Sequence, residues 1–338
     1  QQEVRAALAR RSEKQSTSVP LIAVLLGCVA ILVRAAIGTW SWLSTPQEYL
    51  QILAVDALNM SDPDSLDIFY AKYHGRLPVV LEGALDTWPA LQWNTTVLAG
   101  RCPHAELPVY GYDLKSKDWA ALRDMGTMLL SKYFATWFGR GRRRAHEPPP
   151  YGLEMSMRVE CPSLLEDVRI PATFSDDLLA RYYRKGSWPT LITGPEGTRS
   201  GLHRDTHDLP FWMAMFVGRK HWRMFPVNEP ALDPLYQSAS NGFSFDPFDP
   251  DFSKHPGLGK AQIYEHILHP GQVMYIPSGT AHAVQNLDDT IAISANYLDS
   301  GGLKHHLEVT CNQPLWMESK LCFGYNHDFL SHKPPPKE

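Results

Sequence analysis

The chain lacks several features that would assign it to a common functional class. Its 338 residues carry a formal net charge of -4, so no overall excess of basic residues indicates a nucleic-acid partner. Cysteine is scarce, with five residues and no CxxC pair, which argues against a structural zinc site. No internal repeat is visible. No glycine-rich phosphate loop precedes the letters HRD at 203–205, which argues against a kinase.

A long hydrophobic run is also missing near the N-terminus. Residues 19–33 (VPLIAVLLGCVAILV) carry no charge, but these fifteen residues fall short of the roughly 20 that a spanning helix needs. Arg34 can snorkel, Trp40 suits an interfacial belt, and basic residues precede the run. We therefore predict a transmembrane signal anchor at 19–43, with a cytosolic tail at 1–18. A cleaved signal peptide and a buried core helix remain the alternatives.

This topology predicts a single-pass type II membrane protein that faces the lumen of the endoplasmic reticulum or Golgi. After signal cleavage the protein would instead be secreted or lumenal. Asn59 and Asn94 begin N-glycosylation acceptor triplets, which agrees with a lumenal location. Four cysteines follow the apolar run, and they can form two disulfides in three connectivities or remain buried thiols: Cys102, Cys161, Cys311 and Cys322.

The middle of the chain mixes helical and strand patterns. Apolar residues at intervals of three and four predict helices within 44–75 and over 118–138, and residues 77–85 (LPVVLEGAL) predict a strand. Residues 139–152 (GRGRRRAHEPPPYG) combine four arginines with three prolines, which predicts an exposed loop or hinge. A nucleic-acid patch and a protease processing site are the other interpretations of this loop. Residues 44–150 are thus expected to form an N-terminal helical and β region that contains this loop.

From residue 188 onward, short β-rich runs alternate with turn residues. This texture is typical of a β-sandwich or barrel, so we predict a mainly β protein with helical decoration. The barrel is assigned to 151–300. Residues 301–338 are expected to form a helical segment and a disordered tail. Residues 238–252 (SASNGFSFDPFDPDF) form a long acidic insert, predicted as either a substrate lid or a plain surface excursion.

The stretch GLHRDTHD at 201–208 holds the candidate chemistry. In an extended strand, His203 and Asp205 lie on one face and can reach one metal ion, whereas His207 lies roughly 13 Å from His203. A single H-x-D triplet is weak evidence, since a polar strand end has the same letters. His282 follows a Pro-Ser-Gly turn and opens a later strand. Two histidines and one carboxylate form the facial triad of non-haem Fe(II) oxygenases.

Two long segments carry a family resemblance. WPTLITGPEGTRSGLHRDTHDLPFWMAMFVGRKHWRMFP and the later PGQVMYIPSGTAHAVQNLDDTIAISANYL resemble the jumonji-C (JmjC) family. They are most similar to its cupin-like protein-hydroxylase branch, whose members are Fe(II)- and 2-oxoglutarate-dependent oxygenases. The earlier RLPVVLEGALDTWPALQW resembles the N-terminal part of the same branch, so the resemblance covers about residues 65–300.

The resemblance implies a double-stranded β-helix, also called a jelly-roll or cupin barrel. It implies that the iron ligands are His203, Asp205 and His282. Lys220 matches the lysine that binds the distal carboxylate of 2-oxoglutarate, with Arg219 and Arg223 as local rivals for that role. Three further polar residues match positions that line the cosubstrate pocket: Ser200, Ser294 and Asn296.

The resemblance further implies a dioxygenase that hydroxylates a side chain of a protein or peptide substrate. A lysine demethylase is the rival with the same chemistry, and a catalytically silent cupin that acts as a binding or scaffold protein is the rival from another class. Thr280, Ala281 and Met213 depart from residues that relatives often carry in the pocket wall. The expected partners are the membrane, through the anchor, and a second copy, through the C-terminal segment. No nucleic acid is expected.

Overall fold

The computed structural model describes most of the chain after the predicted anchor, namely residues 50–139, 148–179, 189–304 and 306–307. The search for spanning segments covered these residues, and none of their helices is both long and apolar enough to cross a bilayer. The anchor predicted at 19–43 lies outside the described residues, as do the arginines of 140–147 and the tail from residue 308. The anchor, the tail and the C-terminal dimer contact therefore stay predictions.

The described residues form sixteen strands in two sheets. In chain order the strands are β1 Gln51–Ala54, β2 Asp56–Asn59, β3 Val79–Glu82, β4 Glu106–Tyr112, β5 Leu122–Leu129, β6 Tyr151–Ser156, β7 Thr190–Gly194, β8 Arg199–His203, β9 Phe211–Val217, β10 Lys220–Met224, β11 Tyr236–Gln237, β12 Gly242–Phe243, β13 Gln262–Leu268, β14 Val273–Ile276, β15 His282–Asn286 and β16 Thr290–Asn296. The smaller sheet has the order β1-β13-β10-β15-β8-β12-β11. The larger sheet has the order β2-β3-β14-β9-β16-β7-β6-β4-β5.

Eight of these strands form a jelly roll. Strands β7 and β8 belong to opposite sheets, as do β9 and β10, β13 and β14, and β15 and β16. The central four of the smaller sheet are β13-β10-β15-β8, and those of the larger sheet are β14-β9-β16-β7, each with antiparallel neighbours. This winding confirms the mainly β, cupin-type fold that the sequence predicts.

Strand alternation builds one core between the sheets and one outside the larger sheet. On β9, Met213 and Met215 point between the sheets, where they join Trp222 of the facing sheet. Trp212 and Ala214 of the same strand point outward, into a second core with the helices. Strand β9 is apolar at every position because both of its faces are buried.

The helices are short and cover the outside of the larger sheet. The described part of the chain has four α-helices: Ser65–Ile68, Thr95–Arg101, Leu130–Trp137 and Met157–Glu160. A π-helical turn at Phe69–Tyr73 extends the first, and 3₁₀ turns lie at Pro89–Gln92, Trp119–Ala121, Pro162–Asp167, Ala172–Phe174, Thr206–Asp208, Pro230–Leu235 and Pro256–Lys260. Leu130, Tyr133, Phe134 and Trp137 are the buried residues of the third helix. Their spacing of three and four residues is the pattern that predicts this helix.

Two of the helical predictions are partly wrong. Residues 44–75 contain β1 and β2 before the helix at Ser65–Ile68, and the first half of 118–138 is β5. Strands β1 and β2 pair in parallel with β13 and β3, which are partners elsewhere in the chain. Such distant pairing overrides the helical spacing of a short segment. Strands β1 to β6 also share the two sheets of the strands that follow them, so the sheets continue across residue 150.

The 238–252 insert supplies β12, which pairs with β8 in the smaller sheet, and its phenylalanines pack on the outer face of that sheet. Asp246 is buried and forms an ion pair with Arg199 of β8, with 2.8 Å between Arg199 Nη2 and Asp246 Oδ2. The Arg199 guanidinium also lies 4.1 Å from the centre of the Tyr112 ring on β4. Phe243 and Phe245 of the insert pack into the core on this outer face. The insert is therefore fixed to the barrel by buried contacts.

Within the described residues, one disulfide joins the ends of two short helices. Cys102, at the end of the helix Thr95–Arg101, is bonded to Cys161, which follows the helix Met157–Glu160. This pair is one of those that the cysteine count allows. Cys311 and Cys322 lie outside the described residues, so their pairing stays a prediction.

Candidate metal centre and cosubstrate pocket

The structure brings His203, Asp205 and His282 together, and we call these three residues the triad. His203 and His282 are cross-strand partners on β8 and β15, with ring centres 4.3 Å apart. His203 Nε2 lies 3.9 Å from Asp205 Oδ1. One ligand atom of each triad residue lies within 4.8 Å of the others, and all three side chains are buried. The convergence predicted from the sequence is therefore present.

The histidines present the correct nitrogen to a metal. Nδ1 of His203 lies 2.7 Å from the carbonyl oxygen of Gly201, and Nδ1 of His282 lies 3.1 Å from that of Thr280. A carbonyl oxygen only accepts, so each Nδ1 carries a proton and donates it. Each Nε2 then keeps its lone pair for a metal ion.

The electrostatics of the triad fit a divalent cation. Burial, and then the neighbouring His282, hold the pKa of His203 well below its usual range, so its ring stays neutral. Burial raises the pKa of Asp205, and within the described part of the chain no lysine or arginine pairs with its carboxylate. A bound metal would supply the missing positive charge. Two imidazole nitrogens and one carboxylate, without a thiolate, form a donor set that suits Fe(II).

Neighbouring side chains hold the triad in place. Asn296 Nδ2 donates a hydrogen bond of 2.9 Å to Asp205 Oδ2. The Trp119 ring meets His203 edge-on with 4.4 Å between ring centres, and the Trp222 ring lies 5.7 Å from that of His282. Asn296 is one of the residues predicted to line the cosubstrate pocket, and in the structure it contacts a metal-ligand candidate.

The strand predicted through 201–208 ends early. Strand β8 stops at His203, and a 3₁₀ turn at Thr206–Asp208 follows Asp205. His207 and Asp208 take positive φ angles of 57° and 52°, which belong to the left-handed region. His207 is not among the converging ligand candidates, and its ring lies 5.8 Å from that of His306.

Lys220 lies in a buried polar cluster. Its Nζ donates to Tyr151 Oη at 2.7 Å and to Asn286 Oδ1 at 2.6 Å. Lys220 is fully buried, and burial lowers its pKa to about 7. The two local rivals face other partners: Arg219 pairs with Asp288 and Arg223 with Glu265, all of them at least partly exposed to solvent. Lys220 is therefore the cation of this group that faces the interior.

The hairpin that carries Lys220 depends on a glycine. Gly218 lies in the turn between β9 and β10 with φ of +72°. A Cβ atom at this position would lie 2.3 Å from the carbonyl oxygen of Asp289. Only glycine combines this backbone conformation with such a close approach. The tight turn fixes the strand on which Lys220 points into the barrel.

Ser200 faces the interior because of a β-bulge. Simple alternation would place Ser200 and His203, three residues apart, on opposite faces of β8. The pairing shifts by one residue, since His203 pairs with His282 whereas Ser200 pairs with Val284. Val284 points into the core between the sheets, and cross-strand partners share a face. Ser200 is therefore buried on the same side as His203.

Ser294 lies on the opposite sheet. Its hydroxyl is 3.3 Å from that of Thr190 on the neighbouring strand β7. Ser294 is buried, two residues before Asn296 on the same face of β16. The predicted pocket residues thus line one interior from both sheets, although their roles are not equivalent.

Sequence reasoning missed three neighbours of these sites. Tyr151 was assigned to the exposed loop at 139–152, but it begins β6 and is buried against Lys220. The sequence could have indicated Asn286, because it lies four residues after His282 on the same face of a strand. No sequence pattern indicates Trp119, since its position depends on a turn in which Ala120 and Ala121 have positive φ angles.

Comparison with known proteins agrees with this geometry. A family model described as a cupin-like domain matches residues 66–301. Arginine-specific demethylase JMJ22 of Arabidopsis thaliana is 29% identical over 258 residues, covering 72% of this chain and 46% of that protein. Lysine-specific demethylase 8 of Xenopus tropicalis is 30% identical over 229 residues, covering 64% and 47%.

A third relative is named for its cofactors. The 2-oxoglutarate and iron-dependent oxygenase JMJD4 of Gallus gallus is 30% identical over 136 residues, covering 38% of this chain and 31% of that protein. The chain therefore spans less than half of the length of these three relatives. With the family match over residues 66–301 and a buried triad that suits Fe(II), the chain belongs to the cupin-like JmjC family of Fe(II)- and 2-oxoglutarate-dependent oxygenases.

Proposed function

We propose that the protein is an Fe(II)- and 2-oxoglutarate-dependent dioxygenase that hydroxylates a side chain of a protein substrate. The observation that carries this proposal is the buried triad, together with Lys220 inside the same barrel, a buried cation that forms no ion pair among the described residues. When bound, iron and 2-oxoglutarate supply the oxidative decarboxylation of the cosubstrate and the transfer of one oxygen atom to a C–H bond.

The chain's own residues would bind and orient these groups. The triad would hold the iron through the Nε2 atoms of His203 and His282 and the carboxylate of Asp205. Asn296 would fix the orientation of the Asp205 carboxylate through its hydrogen bond. Lys220 would pair with the distal carboxylate of 2-oxoglutarate, since a charge-assisted hydrogen bond is strong in a dry interior.

The walls of the pocket would exclude water. Trp222 and Met213 are buried between the sheets, and Trp119 covers the outer edge of His203. An apolar, closed wall keeps bulk water from reactive groups and strengthens the electrostatic interactions inside. The departures noted in the sequence are Thr280, Ala281 and Met213, and all three are buried side chains that leave the triad intact.

Succinate formation tests the reaction class. The wild-type protein, supplied with Fe(II), 2-oxoglutarate and dioxygen, is expected to form succinate. His203→Ala is expected to abolish it, because one ligand of the iron is lost. Thr136→Ala serves as a control, since Thr136 lies outside the triad and its hydroxyl donates to the Lys132 carbonyl of its own helix. Equal succinate formation in the wild type and His203→Ala would support a catalytically silent cupin instead.

A protein substrate is supported by the names of the relatives, which act on arginine or lysine residues. Hydroxylation and demethylation use the same centre and differ in the product. Mass spectrometry of trapped substrate proteins separates them: hydroxylation adds one oxygen atom, whereas demethylation removes a methyl group and releases formaldehyde. Products that lose methyl groups would overturn the hydroxylase part of the proposal and leave the oxygenase part intact.

We further propose that the catalytic unit works in an oxidising lumen. The Cys102–Cys161 disulfide supports this, because disulfides persist mainly in secretory compartments. Asn59 and Asn94, the two glycosylation candidates, are both exposed. The anchor at 19–43 and a homodimer through 301–338 belong to the same proposal and rest on the sequence alone.

A further inference from the structure

Lys220 is the centre of a cluster built from four parts of the chain. Its members are Lys220 on β10, Tyr151 on β6, Asn286 on β15 and Thr198 in the turn before β8, and we call them the lysine cluster. All four side chains are buried. Hydrogen bonds connect them in a row, from Tyr151 through Lys220 and Asn286 to Thr198.

The hydrogen bonds of the lysine cluster run in one direction. Thr198 Oγ1 lies 2.6 Å from the carbonyl oxygen of Pro195, which only accepts, so the hydroxyl donates its proton there. Thr198 Oγ1 must then accept from its other neighbour, Asn286 Nδ2, at 2.7 Å. This contact turns the other end of the amide, Oδ1, toward Lys220. The orientation of Asn286 thus follows from the network.

The main chain fixes Asn286 as well. Its backbone N–H donates to the Thr198 carbonyl at 2.9 Å, and its own carbonyl accepts from the Gly197 N–H at 2.8 Å. Its side chain binds the same turn, so Asn286 is held at three points. A side chain held in this way keeps its acceptor at a fixed place relative to Lys220.

Glycine at position 194 leaves room for the lysine cluster. A Cβ atom on Gly194 would lie 2.5 Å from Thr198 Oγ1, 2.6 Å from Asn286 Nδ2 and 2.7 Å from the Tyr151 ring. Such contacts are far below ordinary van der Waals distances. The backbone at this point of β7 therefore packs directly against the lysine cluster, and little freedom is left for its members to move.

The charge of Lys220 is left unbalanced. Within the described residues, its two side-chain hydrogen bonds go to oxygen atoms of neutral groups, a phenol and an amide. Tyr151 is the titratable group that faces it from β6, and burial raises the pKa of that phenol above its usual value, so it stays neutral. An ammonium group has three donors. A ligand carboxylate can therefore supply both a third acceptor and the counter-charge.

We propose that Asn286, oriented by Thr198, is a positioning residue that aims the Lys220 ammonium at a carboxylate of the cosubstrate while leaving its charge free. This inference rests on the proposed function, because it assigns Asn286 to the recognition of 2-oxoglutarate. A neutral amide suits this task better than a carboxylate would. An acidic side chain at the same place would neutralise the lysine and repel the ligand.

Four variants of Asn286 and Thr198 separate the effect of the amide's position from the effect of charge near Lys220. Asn286→Asp keeps the shape and adds a competing carboxylate, and Asn286→Leu keeps the volume and removes the acceptor. Thr198→Val removes the group that orients the amide, whereas Thr198→Ser retains the hydroxyl and is the matched control. Calorimetric titration of 2-oxoglutarate into the protein loaded with Mn²⁺ measures binding without turnover. Circular dichroism and melting temperature identify any variant that has lost its fold.

Binding should weaken by about 10- to 100-fold for Asn286→Asp, the range of a lost charge-assisted hydrogen bond. Asn286→Leu and Thr198→Val should weaken it by several-fold, and Thr198→Ser should stay within about twofold of the wild type. With Fe(II), the KM for 2-oxoglutarate should rise in parallel, while kcat at saturating 2-oxoglutarate changes little. Such a split is expected of a residue that acts through binding.

The outcomes distinguish the two proposals. If the wild type neither binds nor consumes 2-oxoglutarate, the proposed function fails. If the wild type binds and the folded Asn286→Asp and Thr198→Val variants bind equally well, only the role of Asn286 fails. A fall in kcat with an unchanged KM would also overturn it. If Asn286→Leu does not fold, the comparison of Thr198→Val with Thr198→Ser decides the question.

Discussion

Asn296 and Asp205 come from opposite sides of the barrel and meet through a hydrogen bond of 2.9 Å between Nδ2 and Oδ2. Asn296 ends β16 of the larger sheet, whereas Asp205 follows β8 of the smaller sheet. The two histidines of the triad both lie on strands of the smaller sheet. The larger sheet contributes none of the three triad residues, yet through Asn296 it sets the orientation of the Asp205 carboxylate.

The first prediction concerns metal affinity. Replacing Asn296 with Ala leaves the Asp205 carboxylate free to rotate, so the affinity for Fe(II) or Mn²⁺ should fall by about 10- to 100-fold. Equilibrium titration of the metal into the metal-free protein measures this. Ser294→Ala is the matched comparison, because Ser294 lies on the same face of β16 and contacts Thr190 instead of a ligand. Equal metal affinity in Asn296→Ala and Ser294→Ala would contradict the assignment.

The second prediction concerns pH and stability. Burial lowers the pKa of Lys220 to about 7 in the folded protein, whereas an unfolded lysine titrates near about 10.4. Between about pH 7 and pH 10 the unfolded chain therefore binds more protons, so Lys220 makes the free energy of unfolding rise with pH. The contribution is about 1 kcal/mol per pH unit in that window.

Lys220→Met removes this titration. Urea unfolding of the wild type and Lys220→Met at several pH values, without 2-oxoglutarate, gives the difference between their free energies of unfolding. This difference should shift in favour of the wild type as the pH rises above about 7. A difference that stays constant across the window would mean that Lys220 keeps its proton when buried.

The third prediction concerns 2-oxoglutarate affinity and pH. A carboxylate bound at Lys220 favours the charged ammonium, so the pKa of Lys220 is higher in the complex than its value of about 7 in the free protein. Binding then takes up a proton above that pH. The affinity should be greatest below about pH 7 and fall by up to about tenfold for each pH unit above it. Calorimetry with Mn²⁺-loaded protein in buffers of different ionisation enthalpy measures the proton uptake, and its absence at alkaline pH would contradict this coupling.

The fourth prediction concerns the disulfide. The Cys102–Cys161 bond closes a loop with a sequence separation of 59 residues. Its removal by Cys102→Ala and Cys161→Ala together should lower the free energy of unfolding by about 2 to 4 kcal/mol. Reduction of the wild type with dithiothreitol should give a similar loss. If the double variant and the oxidised wild type unfold at the same urea concentration, the bond does not form in solution.

The fifth prediction tests the lumenal location. Asn94 is exposed, and its Oδ1 caps a helix by accepting from the Val97 N–H at 3.0 Å. Asn94→Gln would remove this cap, so Thr96→Ala is the better change, because it destroys only the acceptor triplet. Protein from a secretory host should show a glycosidase-sensitive mobility shift that Thr96→Ala reduces. Ser61→Ala is the corresponding change for Asn59, and no shift from either site would weaken the lumenal proposal.

The barrel could be predicted from the sequence because its strands are short β-rich runs separated by turn residues. Alternation within 201–208 selected His203 and Asp205, and the same rule along β15 leads from His282 to Asn286. Ser200 shows the limit of that rule, since a bulge in β8 resets the alternation by one residue. A bulge depends on the partner strand, which a local pattern does not contain.

The residues that could not be predicted depend on contacts between distant segments. Tyr151 follows three prolines and looks like part of a loop, yet its partner Lys220 lies 69 residues further along the chain. Trp119 reaches His203 only because a turn at Ala120 and Ala121 takes left-handed backbone angles. Neither alanine favours such angles by itself, so surrounding structure must stabilise them.

The ten residues at 50–59 supply a terminal strand to each of the two sheets. Strand β1 covers the edge of the smaller sheet beside β13, and β2 covers the edge of the larger sheet beside β3, with Val55 between them. A protein shortened to residue 66, where the family match starts, would lose both strands. It would move the two sheet edges from the short strands β1 and β2 to β13 and β3. Because β13 has 7 residues and β1 has 4, the smaller sheet would then present a longer unpaired edge to other molecules. Strand β1 therefore keeps this longer edge covered.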